Sequence, residues 1–139
     1  MKRIYLFLLC AVLAFSLCAC GGNVKNVRIE NVDSELYSEE DIHAAIQVIV
    51  KEFDRSWSGC TLTDIAYAGD EKTLAESEYY LEEHGVYDAD ELIVLTSSFD
   101  VDATGGDGSL NPNSTYDGWS WLLVRSSGGR WKHVDHGYG

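Results

Sequence analysis

The chain has few bases, one proline and few cysteines, and each shortage excludes a class of protein. Ten Lys and Arg residues stand against 23 Asp and Glu residues, which gives a net charge of −13. A nucleic-acid-binding protein needs a basic face to neutralise phosphates, so this balance excludes that class. The single proline and the lack of internal repeats exclude a fibrous or low-complexity chain. The 45% hydrophobic content excludes a disordered chain.

Long apolar runs are also missing, except for one at the N-terminus. A basic start, Met1-Lys2-Arg3, precedes the run 4–17, in which Ser16 is the only polar side chain. This is the arrangement of a secretory signal peptide. The run is shorter than the roughly 18 residues that a membrane-spanning helix needs. The sequence therefore predicts export of the chain, with 1–19 as the signal peptide.

The end of this run resembles the lipobox of bacterial lipoproteins. Residues 17–20 read LCAC, an apolar residue and two small residues before a cysteine, and two glycines follow. Cys18 in the second small position is a mild departure. The resemblance implies cleavage before Cys20 and a diacylglycerol on its sulfur, with the protein anchored on the outer face of the cell membrane. An ordinary signal peptide cut nearby and an uncleaved anchor are the alternatives.

Cleavage before Cys20 would leave 120 residues with eight bases against 23 acids, a net charge of −15. Anionic lipids repel such a domain, so we expect it to stand off the membrane. The polar segment 21–36 predicts a flexible linker, which makes 20–37 a lipidated cysteine and tether before a single domain over 38–139. Cys60 is then the only free thiol and cannot form an intramolecular disulfide. It is predicted to be a buried structural residue; a nucleophilic role, which would need a histidine base, is the alternative.

The clearest predicted element is a helix over 39–57. Ser38 is a good N-cap, and three acidic residues occupy the first turn, where they suit the helix dipole. Apolar residues recur at helical spacing along one stripe, and Gly59 is a typical stop. The rest of the chain predicts a second helix over 71–84, a polar loop over 104–115, and strands over 60–68, 91–101, 116–125 and 130–138.

This order predicts an α+β fold in which a long N-terminal helix packs on a curved antiparallel sheet. The elements run helix, strand, helix and then a three-stranded meander. The order resembles that of the cystatin-like and NTF2-like superfamily. The resemblance concerns topology alone, and a fold does not imply a function.

A closer resemblance rests on four stretches of sequence. They read GCTLT at 59–63, GGDGSLNPNSTY at 105–116, WSWLLVR at 119–125 and GRW at 129–131. In this combination they resemble a family of uncharacterised lipoproteins from Gram-positive gut bacteria, over about residues 38–139. The resemblance implies a place at the cell envelope and implies no catalytic residue.

Aromatic residues on neighbouring predicted strands form the first candidate site. Trp119, Trp121 and Trp131 either pack under the long helix or line an open pocket between helix and sheet, where they would stack on a ligand. Arg125 ends the face that carries Trp119 and Trp121. It would either hold an anionic group of the ligand or pair with a surface acid.

Three acidic residues around the glycine-rich loop form a second candidate. Asp100, Asp102 and Asp107 offer the oxygen ligands that Ca²⁺ prefers. Their spacing departs from that of an EF-hand, because Thr104 takes position five and Asn111 position twelve. The alternative is a solvated loop, and no cofactor is predicted.

The last predicted strand carries two histidines. On a regular strand, His133 and Asp135 would face one way and His136 the other, so the two histidines should not share a metal. No recognised catalytic constellation is present. The sequence therefore predicts a non-enzymatic binding domain with an unknown small-molecule ligand. The alternatives are an interaction module for envelope proteins, acting through the acidic surface and the 104–115 loop, and a small hydrolase or isomerase of NTF2-like type.

Overall fold

The computed structural model describes residues 21–138. The predicted signal peptide (1–19) and the predicted lipidation of Cys20 therefore lie outside the described residues. Among residues 21–138, no helix combines the length and the apolar composition that crossing a membrane requires.

The structure is α+β, with a five-stranded open sheet and two helices. Every element predicted from residue 38 onward is confirmed to within two residues at each end. The second helix changes from α to π geometry at residue 78, which the sequence pattern did not indicate. In chain order the elements are β1 (Arg28–Glu30), α1 (Glu39–Ser56), β2 (Cys60–Tyr67), α2 (Asp70–Ser77) with its π-helical continuation Glu78–Glu83, β3 (Glu91–Val101), β4 (Thr115–Arg125) and β5 (Lys132–Tyr138).

The strand β1 lies within the segment that was expected to be a linker. It pairs in parallel with β2, with Arg28 opposite Asp64, while the other neighbouring strands pair antiparallel. The sheet is therefore mixed, and the expectation of a purely antiparallel sheet with no strand in 21–36 is wrong. All three residues of β1 are exposed, so the strand has no buried face that could produce an alternating apolar pattern.

The chain before β1 also packs on the domain. The Gly22 amide donates to the Phe53 carbonyl at 3.1 Å, and the Asn23 amide donates to the Cys60 carbonyl at 2.9 Å. A side chain at Gly22 would place its Cβ 2.6 Å from the Phe53 carbonyl oxygen. Glycine is needed here because two backbone segments approach closely.

The helix α1 begins and packs as its sequence predicts. The Ser38 hydroxyl accepts a hydrogen bond from the Asp41 amide at 3.1 Å, as an N-cap does. The buried stripe of α1 covers one face of the sheet; it consists of Ile42, Ala45, Ile46, Ile49 and Phe53.

The sheet is covered on both faces, and β4 shows the division most clearly. Trp121 and Leu123 belong to the core under α1, whereas Leu122 and Val124 belong to a second core on the opposite face. Tyr80, in the π-helical continuation of α2, packs against that second core. The predicted alternation of β4 is confirmed. The two ends of α1 differ, and the C-terminal end carries the site described next.

Candidate functional site

A pocket lies at the C-terminal end of α1, between that end of the helix, the 105–110 loop and the sheet. Its volume is about 300 Å³. Trp119 reaches it from β4 and His136 from β5. The residues that give the pocket its chemistry are Trp57, Cys60, Asp107, Leu110, Trp119 and His136.

Two half-buried tryptophans form the aromatic part of this pocket. Trp57 follows α1 directly, and its amide donates to the Phe53 carbonyl at 3.1 Å. The Trp57 ring stacks on Phe53, with centroids 5.3 Å apart, and meets Trp119 edge-on at 6.1 Å. Both tryptophan rings also contact the His136 ring, at 5.2 Å and 5.9 Å. These contacts hold the rings in place before any ligand arrives.

The two histidines of β5 lie on the same face, so the expectation that they face opposite ways is wrong. Leu122 pairs with Asp135 and Leu123 pairs with His133, which leaves Val134 as an extra residue in β5. Such a β-bulge shifts the alternation of side chains by one position. His133 Nε2 consequently lies 3.3 Å from His136 Nδ1, and the two rings stack with centroids 5.2 Å apart.

Glu52 on α1 orients His133, the histidine of this pair that lies farther from the pocket. Its Oε2 lies 2.5 Å from His133 Nδ1. The Asp135 carbonyl oxygen lies 3.1 Å from His133 Nε2. A carboxylate and a carbonyl only accept hydrogen bonds, so each ring nitrogen of His133 faces an acceptor. Glu52, His133 and His136 thus form a continuous polar chain that ends at the pocket.

The surroundings of His136, the histidine that lines the pocket, disfavour its protonated form. Its packing among aromatic rings lowers the pKa of His136, and the neighbouring His133 lowers it further. Asp135 and Glu52 act in the opposite direction without reversing the shift. His136 therefore meets a ligand as a neutral imidazole at pH 7, with one donor and one acceptor nitrogen.

This shift predicts a pH dependence of stability. A histidine whose pKa is lowered by folding stabilises the native state above the unfolded pKa of about 6.5, and this contribution is lost as pH falls through the folded pKa. We expect the urea midpoint of the wild type to fall as the pH drops below about 6.5, and to fall less in His136→Gln. The exposed His43 provides the matched control, and His43→Gln should behave like the wild type. If the urea midpoint falls equally with pH in all three proteins, His136 is not the source of the pH dependence.

Cys60 lies in the wall of the pocket but is not poised to react. It is 3% exposed, and burial, assisted by Asp102 and Asp107, raises its pKa to about 11. The thiol is therefore protonated at neutral pH and is a poor nucleophile. The prediction of a buried cysteine is confirmed.

The three tryptophans predicted as ligand contacts lie in different environments. Trp119 lines the pocket. Trp121 is 0% exposed and its Nε1 donates to Ser97 Oγ at 2.8 Å, so none of its surface is available to a ligand in this structure. Trp131 is buried near the opposite end of α1, where its Nε1 donates to the Asp41 carbonyl at 3.1 Å. The packed-face alternative describes Trp121 and Trp131, and the ligand role stays a prediction for Trp119.

Arg125 is likewise far from the pocket and is engaged by protein groups. Its Nη1 donates to Asp41 Oδ1 at 3.0 Å and its Nε donates to Glu91 Oε2 at 2.7 Å. The guanidinium lies over the Trp131 ring, 4.1 Å from the centroid. This matches the acid-pairing alternative, with two carboxylates instead of one.

The three aspartates proposed for a calcium site each accept hydrogen bonds from a nearby Ser or Thr. Asp100 Oδ1 accepts from the Thr115 hydroxyl at 2.6 Å. Asp102 and Asp107 each accept from a backbone amide two residues on, both at 2.9 Å. Within residues 21–138, no three His, Cys, Asp or Glu side chains form a group that could hold a metal ion.

Sequence reasoning placed neither Trp57 nor His136 at a site. In the sequence, Trp57 is the last apolar residue of the helical stripe, which predicts packing. The only sign that it lies at a helix end is Gly59, two residues later. The position of His136 depends on the bulge at Val134, for which the sequence carries no local signal. Comparisons with protein-family models, curated proteins and solved structures find no match to this chain. The chemistry of the site is therefore argued from its own residues.

Proposed function

We propose that the protein is a lipoprotein, anchored through Cys20 to the outer face of the cell membrane, whose domain binds a small ligand in the pocket at the C-terminal end of α1. The basic start, the apolar run and the lipobox-like residues support the anchor. The long helix over one face of the sheet supports an NTF2-like arrangement. No catalytic step is needed for this role.

One observation supports the binding role best: two tryptophan edges and a neutral histidine border a cavity of about 300 Å³. This volume is at the lower end of the range for ligand pockets, so the ligand is small. Aromatic rings offer apolar contact area at little entropic cost, and His136 offers both a donor and an acceptor.

The charges around the pocket indicate which ligands it accepts. Asp107 lines it, Asp102 lies nearby, and neither Lys nor Arg contributes to its wall. The mature chain would carry −15, which repels anions at long range. We therefore propose a neutral or cationic ring compound that carries hydroxyl or amino groups.

Thermal unfolding of the folded chain with a panel of such compounds tests the proposal. A ligand at about 100 times its dissociation constant adds about 2.7 kcal/mol, which should raise the midpoint by about 10 °C. Trp119→Leu should weaken binding about tenfold, because it removes an aromatic wall worth about 1.4 kcal/mol. Tyr79→Leu is the matched control, since Tyr79 is an exposed aromatic residue far from the pocket lining. No shift with any neutral or cationic compound would contradict the proposal and favour an envelope-protein partner.

The polar chain Glu52–His133–His136 favours a second candidate, acid–base catalysis. With His133 carrying its proton on Nδ1, His136 can take a proton from a bound ligand and pass its own Nδ1 proton to His133 Nε2, while the Glu52 carboxylate accepts the Nδ1 proton of His133. This would make the protein a small hydrolase or isomerase. Turnover of an identified ligand that depends on His136 and on the Glu52 carboxylate would distinguish this activity from binding alone.

A further inference from the structure

We infer that the anchored domain rests directly on the membrane with the pocket end of α1 toward the bilayer, and does not stand off on a tether. This inference rests on the proposed lipidation of Cys20. It extends the proposed function by naming the surface that the pocket faces. The partner of this surface is the bilayer that holds the chain's own lipid.

The first argument is that the chain is packed from the first residue after Cys20. An added Cβ at Gly21 would lie 2.1 Å from the Asp54 carbonyl oxygen, and one at Gly22 would lie 2.8 Å from that of Trp57. The backbone hydrogen bonds of Gly22 and Asn23 fix the same segment to α1 and β2. No flexible residues therefore separate the lipidated position from the folded domain.

The second argument is that this contact and the pocket lie at the same end of the domain. The connection between α1 and β2 runs between them: Gly22 packs against the Trp57 carbonyl on one side. On the other side, Trp57 and Cys60 line the pocket, and Gly106 approaches the Ser58 carbonyl. With 18 residues, α1 spans about 27 Å, so its N-terminal end and the adjacent turn of Ser126–Gly129 lie far from this contact.

Covalent geometry then limits how far this end can move from the bilayer. Consecutive Cα atoms are about 3.8 Å apart, and two acyl chains stay buried in the hydrocarbon. Asp54, Asp102 and Asp107 are repelled by anionic headgroups, while Lys25 and Arg55 partly offset them. This repulsion can lift the domain only by the few ångströms that the link allows. It cannot turn the pocket end away from the membrane.

Fluorescence quenching on vesicles tests the orientation. The full chain is purified from membranes of a bacterium that processes lipoproteins, with a single added cysteine for labelling. Ala103→Cys places the label in the exposed loop after β3, near the pocket, and Ser127→Cys places it in the turn between β4 and β5. Cys60 is buried and adds little background labelling. Each protein is inserted into phosphatidylcholine vesicles in which a fraction of the headgroups carries a nitroxide quencher.

We expect the label at residue 103 to be quenched several-fold more strongly than the label at residue 127. Inserting a Gly-Ser linker of about ten residues between Cys20 and Gly21, with a root-mean-square length of about 17 Å, should bring the two values together. The urea midpoint of this variant shows whether the domain is still folded. Equal quenching at both positions in the chain without the linker would overturn the inferred orientation. Unchanged quenching with the linker would show that the short connection is not its cause.

Failure of the anchor itself is distinguishable from failure of the orientation. Cys20→Ala should carry no acyl chains, because the sulfur that would take the diacylglycerol is gone. Mass spectrometry of the N-terminal peptide should show a diacylglycerol on Cys20. A wild-type chain without this modification would overturn the proposed anchoring, and with it the inference on orientation.

Discussion

Replacing Trp121 with alanine should lower the free energy of unfolding by about 4 kcal/mol, as truncation of a fully buried aromatic residue does. The Trp121 ring is 0% exposed and contacts the rings of Phe53 and Trp57. It also contacts both histidines of β5, at 5.4 Å each. Urea denaturation at neutral pH measures the loss.

Smaller changes at the same place separate packing from hydrogen bonding. Ser97→Ala leaves the Trp121 Nε1 buried without its partner, which should cost about 1–3 kcal/mol. Tyr138→Ala, at a residue that is 66% exposed, should cost about 1 kcal/mol, because only its ring contacts with Tyr116 and Trp119 are lost. A loss below about 1 kcal/mol in Trp121→Ala would show that the ring is not packed as described. Because the ring is core, weaker ligand binding in this variant would not identify a contact residue.

Removing Arg125 should have the second largest effect. Arg125→Met should lower the free energy of unfolding by about 3 kcal/mol at pH 7, because Asp41 and Glu91 then keep their charges without the cation between them. The Arg125 side chain is only 9% exposed, so water replaces it poorly. Arg125→Lys should recover part of the loss, since an ammonium keeps the charge but not the fork of two bonds.

The ion pair between Arg125 and Asp41 makes the stability that Arg125 contributes depend on pH. The hydrogen bond from Arg125 lowers the pKa of Asp41, and its charge and Ser38 lower it further. The stabilisation is therefore present above the unfolded pKa of about 3.9 and is lost as pH falls through the lower folded pKa. We expect the difference in the free energy of unfolding between the wild type and Arg125→Met to become smaller as the pH falls below about 3.9.

The control for this prediction is the exposed pair Arg28–Glu30, whose side chains are 72% and 52% exposed. Arg28→Met should cost less than about 1 kcal/mol. A difference between wild type and Arg125→Met that stays constant down to pH ~3 would contradict the role of the Asp41 carboxylate.

Most of the fold could be predicted because its elements carry local signals. Ser38, the acidic first turn and the apolar stripe of α1 together determine where that helix begins and which side it buries. The runs of β3 and β4 have buried faces on both sides of the sheet, and their sequences show it. β1 could not be predicted, because three exposed residues gain their structure only from pairing with β2.

The candidate site was predicted less well, for a related reason. Trp119 was found because aromatic residues on a half-buried strand suggest either packing or a pocket, and in this structure it lines a pocket. Trp131 and Arg125 carry the same composition signal, yet they pack together at the other end of α1. Composition cannot distinguish a residue that lines a pocket from one that packs against the protein, because the difference depends on which surfaces the neighbouring elements leave uncovered.

The bulge at Val134 has a consequence for how this site would vary among related chains. Deleting Val134 would remove the bulge and leave the two histidines two positions apart, still on one face. Losing the bulge without a deletion would instead turn one of the two histidines to the opposite face, although no residue of the pocket would have been substituted. A relative could therefore keep both histidines and lack their contact. The register of β5 against β4, and not residue identity alone, is what preserves the pair.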